Sequence, residues 1–169
     1  MFSYKNLNEL LSISKEKNKP PFLLVLDGIE DPHNFGAIIR TAEAAGVDGI
    51  IIRKRRQAQV NETVERTSTG ATNQVAIARV ANIAETISKL KDQGIVVKGV
   101  EIDGKTLYNE NNLKGPLALV IGSEGFGLSR LVKERCDEII HIPMKGKINS
   151  LNASVATGII LFEVIRQRR

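Results

Sequence analysis

The chain has 169 residues, 42% apolar and 25% charged, the size and mixture of one ordinary globular domain. Twenty-four basic against 19 acidic side chains leave a formal charge of +5, a bias that suits a polyanionic partner without requiring one. No apolar run approaches the roughly 20 residues that cross a bilayer, and the polar start is not signal-like, so a cytoplasmic protein with no membrane partner is expected.

Residues 1–21 carry a short helical pattern at Leu7, Leu10 and Leu11 and end in Lys19-Pro20-Pro21, which reads as an entry arm or linker ahead of a domain over 22–169. Apolar, β-branched runs then recur at 22–26, 49–52, 75–80, 95–100, 117–121 and 139–142 and predict six short buried strands. Helical patterns at 35–45, 61–68, 83–93, 128–135 and 154–168 fill the intervals. The fold class is therefore α/β, a mainly parallel sheet with helices on both faces. Gly46 and Gly94 stand where helices end in a left-handed residue, and Asn82 precedes its helix as an N-cap.

In open α/β sheets ligands bind beyond the carboxyl ends of the strands, and three loops there are rich in Gly, Asn and Ser. The first, Asp27-Gly28-Ile29-Glu30-Asp31-Pro32-His33-Asn34-Phe35-Gly36, follows a tight path that lets Asn34 and Arg40 face one point. Asn34 could equally cap its helix, and Arg40 could pair with Glu43. The second, 121–129, has three glycines in six residues and admits a close backbone approach to a ligand. It is neither a P-loop nor the Gly-x-Gly-x-x-Gly turn of dinucleotide folds. The third, 142–154, gathers Asn149, Ser150, Asn152 and Ser154 beside Lys145 and Lys147, more capping groups than one helix uses, and suggests an anion site at that helix start.

Basic residues cluster at Arg53-Lys54-Arg55-Arg56, at Lys145 and Lys147, and at Arg166-Gln167-Arg168-Arg169. With no Trp, two Tyr and five Phe, recognition of RNA would rest on backbone and shape rather than base stacking. Cys136 stands alone, and His33 and His141 are far apart, so neither a disulfide nor a metal is implied.

Taken together, the segments 31–42, 121–129 and 150–156 resemble the three signature motifs of the SpoU (TrmH-type) class of SPOUT methyltransferases, over nearly the whole chain from Phe22 onward. The resemblance implies a deep C-terminal trefoil knot, a homodimer packed near it, and S-adenosylmethionine held by Gly122, Ile142 and Leu151, with Ser123, Met144 and Ala153 beside them. Many relatives carry Val where Ala153 stands. It further implies transfer of a methyl group to a ribose 2′-hydroxyl of RNA, with Arg40, Asn34, Glu124, Ser150 and Asn152 as the catalytic set. In related enzymes the residue matching Arg40 is proposed as the base, assisted by a substrate phosphate. A guanidinium normally stays protonated, so orienting phosphate and stabilising a developing alkoxide is the other role open to it.

Within the class, residues 27–34 and 67–71 are most similar to enzymes that methylate a guanosine ribose in large-subunit ribosomal RNA, with transfer RNA as the alternative substrate. Residues 4–21 resemble the linker after the N-terminal RNA-binding domain of those enzymes, so a catalytically weak domain without its recognition module is a further expectation. A non-catalytic RNA binder and a base or small-molecule methyltransferase remain as other readings of the same motifs.

Overall fold

The computed structural model describes residues 2–169. Six consecutive buried residues form β1, Phe22–Asp27, without polar alternation because both faces of the strand are covered. One edge of β1 pairs with β6, Leu117–Gly122, in register from Phe22↔Leu117 to Asp27↔Gly122. The other edge carries β2, Gly49–Arg53, followed by β3, Ala76–Val80. Beyond β6 lie β4, Val96–Val100, then β7, Glu138–His141, then β5, Thr106–Leu107. The order is β3-β2-β1-β6-β4-β7-β5, and every pairing is parallel, as the alternation of strands and helices predicts. Only β5 is not foreseen, because two residues carry no readable period.

Successive residues of the strands feed two cores. Leu24, Leu26, Ile50, Ile52, Leu119 and Ile121 face α2, Pro32–Ala44, α3, Glu62–Thr67, and α6, Ala153–Arg168. Leu23, Val25, Ile51, Ala118 and Val120 face α1, Leu7–Glu16, α4, Ile83–Asp92, and α5, Arg130–Arg135. Gly46 and Gly94 take left-handed φ values of 77° and 81° behind α2 and α4, and Asn82 caps α4 by accepting from the Glu85 amide. Among the described residues no helix is long and apolar enough to cross a membrane.

The segment expected as an arm packs against the same body. Leu10 is fully buried against Gly49, where an added Cβ would lie 2.5 Å from Leu10 Cγ. Ser14 Oγ donates to Asp48 Oδ2 at 3.3 Å, the Phe22 amide donates to the same oxygen at 2.8 Å, and Lys17 pairs with Oδ1. One buried carboxylate thus ties α1 to the starts of β1 and β2. Lys98, inside an otherwise apolar β4, is buried as well; its ammonium donates to Asn111 Oδ1 and the Asn112 carbonyl, and desolvation lowers its pKa against the opposing pull of Glu138 and Asp137.

Leu10→Ala is expected to cost about 2–5 kcal/mol through lost transfer energy and a cavity beneath α1, read as a lower urea midpoint. Burial pushes the Cys136 thiol up to about 12. At about pH 8 the native protein should therefore react with iodoacetamide at least about a hundredfold more slowly than the unfolded chain.

Candidate functional site

Because every strand is parallel, the ends of β1, β6, β4 and β7 open on one edge of the sheet. A cavity of about 310 Å³ lies there, walled by Val100 to Ile102 at the end of β4, by 121–127 at the end of β6, and by Ile142, Met144, 149–151, Ala153 and Ala156 after β7. Its size falls in the range of small-molecule sites. Gly122 is required by contact: an added Cβ would sit 2.2 Å from the Gly127 carbonyl carbon. The turn is closed by reciprocal backbone hydrogen bonds between Ser123 and Gly127, with Ser123 N donating at 3.1 Å and Gly127 N at 2.8 Å.

All six positions expected to hold a cofactor, Gly122, Ser123, Ile142, Met144, Leu151 and Ala153, line this one cavity, as do Glu124 and Ser150. The lining contains two carboxylates, Glu101 and Glu124, and neither Lys nor Arg. That sign disfavours a phosphate ligand and suits a cationic one. The anion site expected beside Lys145 and Lys147 is thus not found in the cavity. The start of α6 is already satisfied by Asn152, whose Oδ1 accepts from the Ser154 amide at 2.9 Å and the Val155 amide at 3.3 Å.

Three residues from three loops meet at the rim. Asn152 Nδ2 donates to Asn34 Oδ1 at 3.1 Å, and Asn34 Nδ2 donates to Glu124 Oε1. Asn34 does not cap its helix; Asp31 does, accepting from the His33 amide at 2.8 Å. A second cavity of about 240 Å³ adjoins the first, bounded by Gly28 to Asp31, Asn34 and 123–126. Phe126 stands at both mouths and is 95% exposed.

Arg40 is not gathered with the others. It is exposed on α2, lines neither cavity, and forms no ion pair with Glu43 or any other acid among the described residues. Six residues along a helix turn the side chain well away from Asn34, so within one chain the two do not face the same point.

Glu101 was not singled out by its sequence. Its carboxylate accepts from the Leu128 amide at 2.8 Å and fixes the far side of the glycine turn. It sits one residue past a strand end in a stretch without motif or punctuation, so only the shared edge of the sheet could have pointed to it.

A model of the SpoU rRNA Methylase family matches residues 21–162. A provisionally named TrmH family tRNA/rRNA methyltransferase of Bacillus subtilis, YacO, is 48% identical over 167 residues, covering 99% of this chain and 67% of that protein. Among solved structures, the SpoU methyltransferase AviRb of Streptomyces viridochromogenes, in complex with AdoMet, is 31% identical with a TM-score of 0.84 over 89% of this chain and 59% of that one. An AdoMet-bound rRNA methyltransferase of Sinorhizobium meliloti is 32% identical with a TM-score of 0.86 over 97% of this chain and 61% of that one. The fold is shared with these proteins, and the chain spans about three fifths of the length of the two structures.

Asp27 anchors the end of the glycine loop, its Oδ2 accepting from Ser129 N at 2.7 Å and Ser129 Oγ at 2.9 Å. Asp27→Asn weakens two charge-assisted hydrogen bonds at a nearly inaccessible site. It is expected to cost about 2–3 kcal/mol in denaturant unfolding and to speed hydrogen exchange at the Ser129 amide.

Proposed function

The chain belongs to the SpoU rRNA methylase family, and on that premise we propose that it transfers a methyl group from S-adenosylmethionine to the 2′-hydroxyl of a guanosine ribose in ribosomal RNA. The observation that carries this reading is the cavity itself, in which all six positions expected to hold the cofactor converge on acid-bearing, cation-free walls. Gly122 and Leu151 offer backbone beside the apolar side chains of Ile121, Ile142 and Ala153, a slot suited to an adenosine. Glu101 and Glu124 suit the positive charges of a sulfonium and an amino group.

Bound there, S-adenosylmethionine would supply an electrophilic methyl group attached to a positively charged sulfur. The acceptor oxygen would form the new bond to carbon as the sulfur–carbon bond breaks, the sulfur leaving as the neutral thioether of S-adenosylhomocysteine and the hydroxyl proton passing to a substrate phosphate or to water. Glu124, held by Asn34 and indirectly by Asn152, fixes the rim over which the ribose approaches. Ser150 lines the same cavity. Arg40 meets the acceptor once RNA and a second copy of the chain are in place, orienting a phosphate and stabilising the developing alkoxide. The homodimer is supported by Val155 and Phe162 on α6, which are 50% and 49% exposed on a helix packed against α2.

The choice of ribosomal RNA and guanosine rests on the resemblance of 27–34 and 67–71. The domain proposed to act is 22–169, with α1 of the preceding segment docked against it and the reaction taking place in the cytoplasm.

Calorimetric titration with S-adenosylmethionine, followed by labelled-methyl transfer to unmodified ribosomal and transfer RNA, tests this reading. Ribose label on a guanosine of ribosomal RNA is the expected result. Label on a base, or no cofactor binding, defeats it. Arg40→Ala should lower methyl transfer at saturating RNA and cofactor by at least about a hundredfold, with cofactor affinity unchanged.

A further inference from the structure

We propose that the loop bearing Lys54, Arg55 and Arg56 holds backbone phosphates beside the acceptor nucleotide, so that the RNA strand runs along the sheet edge from the cavity towards β2. The identity of the strand as substrate rests on the methyltransferase reading.

Three basic runs stand out in the sequence, and the fold sends only the C-terminal one to the far edge of the sheet; Lys145 and Lys147, exposed after β7, share the cavity's edge without lining the cavity. α6 starts at the cavity with Ala153 and ends over the opposite edge of the sheet. There Arg168 donates to the carbonyls of Pro20, Leu113 and Gly115 and lies over the Phe22 ring, while Arg166 is paired with Glu163. Those cations hold the fold together and face away from the acceptor.

The run after β2 differs in place and in company. In the order β2-β1-β6 it leaves the same edge as the cavity, two strands from Gly122, roughly 10 Å away. Its backbone is fastened to the loop that walls the second cavity: Ala58 N donates to the Ile29 carbonyl at 2.8 Å, and Ile29 N donates to Gln57 Oε1 at 2.8 Å. Arg53 braces the turn from within, donating through Nη2 to the Arg56 carbonyl at 3.3 Å with Nε 3.8 Å from Asp27.

Lys54, Arg55 and Arg56 are left exposed, and among the described residues none of their side chains has a carboxylate partner or a hydrogen bond. Lys17, Lys91 and Lys133, by contrast, each pair with an aspartate. Three adjacent cations on a fixed loop repel one another without internal compensation, and a phosphate strand supplies it.

The test compares Lys54→Gln/Arg55→Gln with Lys89→Gln/Lys114→Gln, which removes the same charge at the opposite edge. Affinity for a fluorescein-labelled single-stranded RNA is measured from about 50 to about 200 mM salt, alongside methyl transfer and cofactor titration. The first variant should bind RNA roughly tenfold more weakly, with a salt slope shallower by about 1.4. Its KM for RNA should rise while kcat and cofactor affinity hold, and the control variant should match the unmodified protein. Equal RNA affinity in the two variants overturns the proposal, as does an unmodified protein that binds anionic vesicles but not RNA. If the loop binds RNA as described but the unmodified protein transfers no methyl group, the transferase reading fails and the phosphate site stands.

Discussion

The parallel pairing of β1 with β6 is the constraint on which the site depends. Ninety-five residues separate Phe22 from Leu117, yet the register runs unbroken to Asp27↔Gly122. Two loops far apart in the chain therefore leave the sheet side by side. Closing so long a loop is entropically unfavourable, and the apolar burial of both strands offsets it, since each fully buried Leu, Ile or Val contributes about 1.5–3 kcal/mol. The exactness of that register matters because a slip by one residue would exchange the two cores and carry Gly122 away from Asp27. Asp27, holding Ser129 across the gap, is the polar lock on the same pairing.

Charge is distributed along the shared edge with two signs. The cavity beside β6 is walled by Glu101 and Glu124 without a cation, while the loop two strands away carries Lys54, Arg55 and Arg56 without an anion. A net charge of +5 conceals this division. A cavity that favours a cationic nucleoside and a flank that favours phosphates keep the two ligands from competing for one place. The scarcity of aromatic side chains fits that arrangement, and Phe126 is the one that stands exposed beside the cavity.

Much of this was legible in the sequence. The apolar runs and their helical intervals reproduce the sheet and its covering helices to within a few residues, because strands buried on both faces must be continuously apolar. The loops were legible because close backbone approach demands glycine and because capping groups accumulated beyond what one helix uses. Other features were not. The two residues of β5 are too short to carry a period, Glu101 has no surrounding pattern, and the docking of α1 depends on Gly49 making room for Leu10 some 40 residues away. Lys145 and Lys147 suggested an anion site, yet the sign of a cavity is set by all the side chains around it, including those from β4.

Asn34 shows why residue type alone could not assign a role. An asparagine near the start of a helix has a ready structural use as a cap, and here Asp31, three residues earlier, takes it. Asn34 is thereby free to accept from Asn152 with its oxygen and donate to Glu124 with its nitrogen. An aspartate could not make both bonds when ionised, having no donor for Glu124, and a leucine could make neither. The same economy governs Asn152, whose oxygen caps α6 while its nitrogen reaches Asn34. Two amides thus join the starts of α2 and α6 to the glycine loop, so the position of Glu124 is inherited from the helices rather than from its own exposed turn. Arg40, outside this chain of bonds, is the one member of the set whose position the fold does not tie to the cavity, and a role that forms only with RNA and a second copy is consistent with that freedom.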